Sequence, residues 1–170
     1  MADLLLEIGC EEIPSGEIDN ALAWLKTNAE QVLNANRLKF NEIKTWGTPR
    51  RLVLIVSAIA SKQTDLFEEV TGPKVEVAYD SSGNLTKAGL GFINSKGKNA
   101  SDAFKKTTAK GEVIALQVTE KGLEASKVLP ALLNKLIKDI PFSKTMQWDE
   151  TEVVFIRPVR WILCLLGSKV

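Results

Sequence analysis

Residues 48–60 read TPRRLVLIVSAIA, which includes one of the two longest apolar stretches of the chain. Its β-branched residues predict a buried strand over residues 51–60. The sequence Gly47-Thr48-Pro49 indicates a turn just before this strand. We therefore expect residues 38–46 to pair with it through the turn.

The segment before this hairpin predicts a strand followed by a helix. Residues 3–7 are leucine-rich and precede Gly9, which indicates a short first strand. A helix is expected to begin at Pro14 and Ser15, with Ser15 as its cap, and to end near Asn36. Its apolar face, at steps of four and three, consists of Ile18, Leu22, Leu25, Ala29 and Val32.

A second helix and two more strands are predicted later in the chain. Pro130 is expected in the first turn of the helix, because a proline deeper inside would break a hydrogen bond, and Pro141 follows the helix end. Strands are expected at residues 152–156 and 161–166. The sequence thus predicts an α+β fold, with a mixed, mostly antiparallel sheet packed by two main helices. The apolar stripe of the second helix consists of Leu129, Leu132, Leu133, Leu136, Ile137 and Ile140.

A change in composition divides the chain. Residues 62–121 are more polar and hold most of the glycines. They are predicted to form a lysine- and glycine-rich subdomain, inserted into an α+β core of residues 1–61 and 122–170. Within the insert we expect turns at 71–73 and 80–84, a strand through Val75, Val77 and Tyr79, a helix capped by Thr86, and a strand at 112–119.

The last residues predict a hairpin. Gly167-Ser168-Lys169 has the composition of a turn after the strand at 161–166, and Val170 would begin a return strand. An edge strand rarely stops without its partner. We therefore expect the chain to be truncated, the alternative being a natural C-terminus that frays.

Several kinds of active site are excluded because the 170 residues contain no histidine. A Ser-His-Asp or Cys-His unit and a histidine-ligated zinc are impossible. No P-loop or GxGxxG pattern is present. We expect no metal and no cofactor in this chain, although acid–base chemistry by other side chains remains open.

The composition, 45% hydrophobic and 25% charged, is that of a globular protein. No basic region precedes the first apolar run, which argues against a secretory signal. The apolar stretches are far shorter than the ~20 residues of a membrane span. Cys10 and Cys164 fit small buried residues in a reducing compartment. We expect a cytoplasmic protein without membrane contact.

Positive charge is concentrated in the insert. Residues 1–30 have a net charge of −6, whereas residues 84–111 have a net charge of +5. Such a basic segment can orient a nucleic acid, and a solvated lysine-rich surface is the alternative. The candidate binding lysines are Lys87, Lys96, Lys98, Lys105 and Lys106.

Arginines near the turn are further candidates. Arg50 and Arg51 suit bidentate binding of phosphate, or they pair with carboxylates such as Glu11. Glu11 and Glu12 could act as acid and base or bind a metal. Their more common role would be favourable placement near the positive end of a helix.

Bases and aromatic residues also alternate in two late segments, around Trp148 and in Arg157-Pro158-Val159-Arg160-Trp161. This combination can stack on and clamp nucleic acid. We favour the alternative that Trp148, Arg157, Arg160 and Trp161 anchor a core or an interface, with arginine stacked on tryptophan.

Together these segments resemble the N-terminal part of the β subunit of the bacterial-type, two-subunit glycyl-tRNA synthetase. The matching motifs occur in the family's order across almost the whole chain. They are LLLEIGCEEIP at 4–14, TPRRL at 48–52, TGP at 71–73, GNLTKA at 83–88 with GF at 91–92, PFSKTMQW at 141–148, and FIRPVRW at 155–161 with LLG at 165–167.

The resemblance implies an enzyme that joins glycine to its tRNA using ATP. The α subunit would carry the adenylation site, with its ATP and Mg, in an α2β2 assembly. The β subunit would engage tRNA(Gly) through domains that include later ones, beyond this chain. Two positions depart from the family pattern: Arg160 stands where a histidine is expected, and Gln147 where an arginine is usual.

Three functions remain open for this part of the subunit. The first is tRNA contact through Arg50, Arg51 and the lysines of residues 84–111. The second is a scaffold that docks the remaining β-subunit domains or the α subunit. A hydrolytic, editing-like module using Glu11 or Glu12 is disfavoured, because histidine and a nucleophile motif are absent.

Overall fold

The computed structural model describes residues 1–80, 82–108, 111–150 and 153–169. It divides the chain into two compact units, Met1–Thr64 with Gly122–Val170, and Asp65–Lys121. The elements are β1 Ala2–Cys10, α1 Ser15–Ala35, β2 Glu42–Thr48, β3 Arg51–Ile59, β4 Leu66–Lys74, α2 Val75–Ala78, α3 Lys87–Ser95, β5 Ala103–Thr108, β6 Gly111–Glu120, α4 Ala125–Lys138, β7 Met146–Gln147, β8 Val154–Phe155 and β9 Val159–Leu166.

The first unit is built on a four-stranded antiparallel sheet in the order β2-β3-β1-β9. Leu6 of β1 lies opposite Leu54 of β3 and Cys164 of β9, so these residues share one face. That face packs against the two long helices in a single core. The predicted α+β fold with a mostly antiparallel sheet and two main helices is confirmed, as is the hairpin through the Thr48–Arg51 turn.

Helix α1 buries one residue per turn against the sheet: Ala21, Leu25, Ala29 and Leu33. Burying a leucine side chain stabilises the fold by about 1.5–3 kcal/mol. The expected cap at Ser15 is wrong, because Pro14 occupies the capping position and makes no side-chain cap hydrogen bond. The Pro14 carbonyl accepts from the Glu17 amide at 2.9 Å and so starts the helix without a capping side chain.

Helix α4 begins earlier than its apolar stripe suggests. The Ala125 amide donates to the Ser61 carbonyl at 2.9 Å, which fixes the helix start. Pro130 is therefore the sixth residue of the helix, and its expected position in the first turn is wrong. Proline has no N–H, so it cannot donate to the carbonyl of Ser126 in the turn before it.

A buried glutamine holds the two chain crossings between the units. The Gln63 side chain donates to the Asn36 carbonyl at 2.8 Å and accepts from the Leu123 amide at 3.0 Å. Lys62 and Glu124 form a β-bridge beside it. A Cβ atom at Gly122 would lie 2.0 Å from the Gln63 carbonyl oxygen, so only glycine fits there.

The second unit has a three-stranded antiparallel sheet in the order β4-β6-β5. Its small core consists of Ala78, Ile93, Ile114 and Leu116. As expected, residues 80–84 turn tightly, with Gly83 at φ 81° and its amide bonded to the Asp80 carbonyl at 3.0 Å. The expected α3 cap is also confirmed, since the Thr86 hydroxyl accepts from the Gly89 amide at 3.3 Å.

Two expectations for the second unit are wrong. Residues 71–73 lie inside β4 rather than in a turn, and a register irregularity between Thr71 and Lys74 accommodates Pro73 without a ladder donor. Residues Val75–Ala78 form a helical turn instead of a strand. The Tyr79 amide closes that turn on the Val75 carbonyl at 2.9 Å, and Ala78 is fully buried.

The late strands follow the sequence pattern closely. The strand expected at 152–156 is the short β8, although Glu152 lies outside the described residues. The turn after β9 is closed by a bridge between Leu166 and Lys169, and Val170 also lies outside the described residues. In the part of the chain that the structure describes, no helix is long and apolar enough to cross a membrane.

Candidate functional site

The candidate site lies at one end of the first unit's sheet. Because β1 runs antiparallel to both neighbours, its last residue meets the start of β3 and the start of β9. The Cys10 amide donates to the Arg50 carbonyl at 3.1 Å, and the Glu11 amide to the Pro158 carbonyl at 3.0 Å. The Ile13 amide donates to the Pro49 carbonyl at 2.6 Å. These bonds bring distant sequence motifs together.

Glu11 bridges two arginines at this end of the sheet. Its Oε2 lies 2.5 Å from Arg50 Nη2, and its Oε1 lies 3.4 Å from Arg160 Nε. The arginine side chains are 65% and 62% exposed, so the pairs contribute little to stability. One carboxylate is therefore shared by two accessible guanidinium groups, which leaves an excess of positive charge.

A third arginine is held beside a tryptophan. Trp161 Nε1 donates to Glu7 Oε1 at 2.7 Å, and Arg51 Nε lies 3.4 Å from the same oxygen. The Arg51 guanidinium lies 5.7 Å from the Trp161 ring centroid, within cation–π range. The indole covers Gly9, where a Cβ atom would lie 2.0 Å from Trp161 Cε2. The packing of Trp161 therefore requires glycine at position 9.

These side chains surround a surface cavity of about 660 Å³, which we call the arginine pocket. Its guanidiniums outnumber the carboxylates that contact them, so the pocket suits an anion. Burial, with a smaller contribution from the charge of Glu11, raises the pKa of the Cys10 thiol to about 11. Cys10 is thus a neutral thiol and a poor nucleophile at neutral pH. The pocket is lined by Cys10, Glu11, Thr48, Arg50, Arg51, Arg160 and Trp161.

The structure brings together Arg50, Arg51, Arg160 and Trp161 from the sequence-based candidates. Arg157 lies close in the chain, and its Nε donates to the Glu12 carbonyl at 2.9 Å. Trp148 belongs to a different part of the unit, where its Nε1 donates to the Phe155 carbonyl at 2.9 Å. Arg160 lines the arginine pocket, although it departs from the family pattern.

The candidate lysines lie in the second unit. Lys106 Nζ pairs with Glu69 Oε1 at 2.6 Å, and Lys105 Nζ lies 5.5 Å from the Tyr79 ring centroid. Lys87 begins α3 and Lys96 is its C-cap residue, with Lys98 shortly after. They are not joined to the arginine pocket by any contact that the structure describes.

Sequence reasoning missed Glu7, which holds both Trp161 and Arg51. The signal was present, because Glu7 follows Leu5 at the outward-facing period of a strand and stands two residues before Gly9. It could be read only once the register of β1, β3 and β9 was known. Among the described residues, no group of three acidic or cysteine side chains is arranged to hold a metal ion.

Comparison with known proteins identifies the class of this molecule. A family model described as the glycyl-tRNA synthetase beta subunit matches residues 4–170. A relative from Clostridioides difficile (strain 630), named glycine–tRNA ligase beta subunit, is 44% identical over 98% of this chain and 24% of its own length. Relatives of the same name from Geobacter sp. (strain M21) and Anaeromyxobacter dehalogenans (strain 2CP-C) are 44% and 45% identical over 99% of this chain.

The chain belongs to the glycyl-tRNA synthetase beta subunit family. It spans about a quarter of the length of these curated relatives and corresponds to their N-terminal part. The resemblance seen in the motifs is therefore confirmed.

Proposed function

We propose that this part of the protein contacts the phosphate backbone of tRNA(Gly) through the arginine pocket. The contact would serve a synthetase that attaches glycine to its tRNA with ATP. The family match supports the ligase, and the arrangement of Arg50, Arg51 and Arg160 around one cavity supports the contact. Adenylation, with ATP and Mg, belongs in this proposal to an α subunit in a cytoplasmic α2β2 assembly.

The geometry suits an exchange of one anion for another. Glu11 occupies Arg50 and Arg160 in this structure, and both guanidiniums remain more than half exposed. An arriving phosphate can take the place of the carboxylate, since both accept paired N–H donors. Arg51 and Trp161 then present a planar cation and an indole edge beside that phosphate.

The lysines of the second unit are a further proposed contact. Lys105 and Lys106 lie next to each other on β5, and Lys106 is shared with Glu69. Isolated ammonium groups act as point charges and add affinity that depends on salt but not on fine geometry. They would support binding that the arginines orient.

A scaffold role is the second candidate, and exposed apolar side chains favour it. Val159, Trp161 and Ile162 are 38%, 42% and 53% exposed, and all lie on β9. A row of exposed apolar residues on one strand is typical of a contact surface. In this role the unit would dock other β-subunit domains or the α subunit.

The test compares two charge-matched double variants of the full-length synthetase across a salt series. Arg50→Ala/Arg160→Ala removes two pocket charges, and Lys26→Ala/Lys44→Ala removes two charges elsewhere in the first unit. The pocket variant is expected to weaken tRNA(Gly) binding about tenfold and to flatten the salt dependence by about 0.7–0.9 per phosphate lost. The control should keep the slope of the unmodified enzyme.

Equal slopes in the two variants would exclude the phosphate contact. If tRNA binding is unchanged but the subunits separate on gel filtration, the scaffold role replaces it.

A further inference from the structure

An apolar groove of about 600 Å³ lies between α4 and β9 in the first unit. Leu129, Leu133 and Ile137 line it from the helix. Ile162 and Cys164 line it from the strand, on the same face as the buried Ile8 and Leu6 of β1. The groove is thus the open margin of the main core.

β9 has an open hydrogen-bonding edge beside this groove. It is the last strand of the sheet and, within the described residues, pairs along its length only with β1. Backbone groups of an antiparallel strand point to alternate sides. Leu166 bonds away from β1, to Lys169, so the backbone groups of Cys164 and Ile162 face the same open edge.

The turn after β9 directs the chain towards this edge. The Leu166 amide donates to the Lys169 carbonyl at 2.8 Å, and the Lys169 amide donates to the Leu166 carbonyl at 3.1 Å. Gly167 has φ 61°, the left-handed conformation that tight hairpin turns use. The chain at Lys169 is therefore already reversed and hydrogen-bonded in register with β9.

We propose that the segment following Lys169 in the full-length subunit is a fifth strand, which pairs antiparallel with β9 and closes the groove with its inward-facing side chains. The curated relatives are about four times as long as this chain, so a continuing segment is available in the family. A strand in this place would pair the backbone of Ile162 and Cys164. Every second side chain of it would meet the groove face of α4.

The experiment uses the full-length β subunit without its partner subunit. Cys164 is the reporter, because it lines the groove from β9. Its alkylation, followed by mass spectrometry, is expected to be about a hundredfold slower than in the denatured protein. Hydrogen exchange should show the Ile162 and Cys164 amides protected to a similar extent.

An Ile162→Asp variant sharpens the test, with Val154→Asp as its control. Val154 is 46% exposed on β8 and does not line the groove. Ile162→Asp should speed alkylation of Cys164 about tenfold, and the control should leave it unchanged.

Three results would overturn the proposal. The first is rapid alkylation together with rapid amide exchange in the unmodified subunit. The second is protection that disappears on dilution, which would assign the groove to a second copy of the chain. The third is protection that develops only when the partner subunit is added.

Discussion

The two units of this molecule hold their positive charge in different ways. In the first unit, Arg50 and Arg160 share one carboxylate, and Arg51 lies against an indole. In the second unit, Lys106 has one acidic partner, and Lys105 lies over a tyrosine ring. The sequence concentrates charge in the second unit, yet the sheet of the first unit gathers the arginines. Charge density along a chain is therefore a weaker guide to a binding site than strand register.

The sharpest way to break this comparison is to disturb the packing under the arginines. Gly9→Ala places a methyl group where the Trp161 indole lies. The indole must move and lose its bond to Glu7, so the free energy of unfolding should fall by about 2–3 kcal/mol. Urea unfolding of the full-length subunit, followed by tryptophan fluorescence, measures this change.

Gly91→Ala is the matched control in the second unit. A Cβ atom there meets nothing within 4 Å, and the residue lies inside α3. Alanine favours a helix over glycine, so stability should rise by about 0.5–1 kcal/mol. If the two substitutions had equal effects, the contrast in packing between the units would be wrong.

The units are also expected to lose stability at opposite ends of the pH scale. Burial raises the Cys10 pKa from 9.0 to about 11, so the unfolded chain loses this proton first. Stability is therefore complete below pH 9 and falls as pH rises towards 11, by about 1–2 kcal/mol. The advantage of the unmodified protein over Cys10→Ala in urea unfolding should shrink across that window.

In the second unit, hydrogen bonds from the Asn84 backbone lower the Asp80 pKa below 3.8. This contribution is present above pH 3.8 and is lost as pH falls through the lowered value. The advantage over Asp80→Asn should therefore shrink in acid and stay constant at alkaline pH. A shared pH response in both variants would contradict the assignment.

The smallest expected effect concerns the shared carboxylate. Glu11→Gln removes the negative charge that occupies Arg50 and Arg160, so tRNA(Gly) should bind about two- to fivefold more tightly at low salt. Filter binding by the full-length synthetase measures it. Glu69→Gln, which frees Lys106 in the second unit, is the comparison and should have less effect. Weaker binding after Glu11→Gln would show that the carboxylate orients the arginines rather than competes for them.

The sequence predicted the main architecture because that architecture follows from periodicity. The one-face spacing of α1 and the β-branched run of β3 are local signals, and both elements formed where they were expected. The errors arose where local and tertiary preferences conflict. Val75 and Val77 favour a strand, but burial of Ala78 and closure on Tyr79 produce a helical turn.

The arginine pocket was only half visible in the sequence. Arg50 and Arg51 stood out beside their turn, whereas Arg160 and Trp161 were read mainly as anchors. Their meeting depends on the pairing of Gly9 with both Arg51 and Trp161, a relation across three strands that no local pattern encodes. The role of Glu7 follows from the same pairing.

The Gln63 clasp has a consequence for how this architecture varies. It ties Asn36 to Leu123, and the adjacent Lys62 and Glu124 are already bridged, so the core is closed on itself where the inserted unit departs and returns. The inserted unit is in effect a cassette on a sealed socket. A short loop joining Thr64 to Gly122 should leave the sheet and its helices intact, and evolution can lengthen, exchange or delete the cassette without redesigning the core.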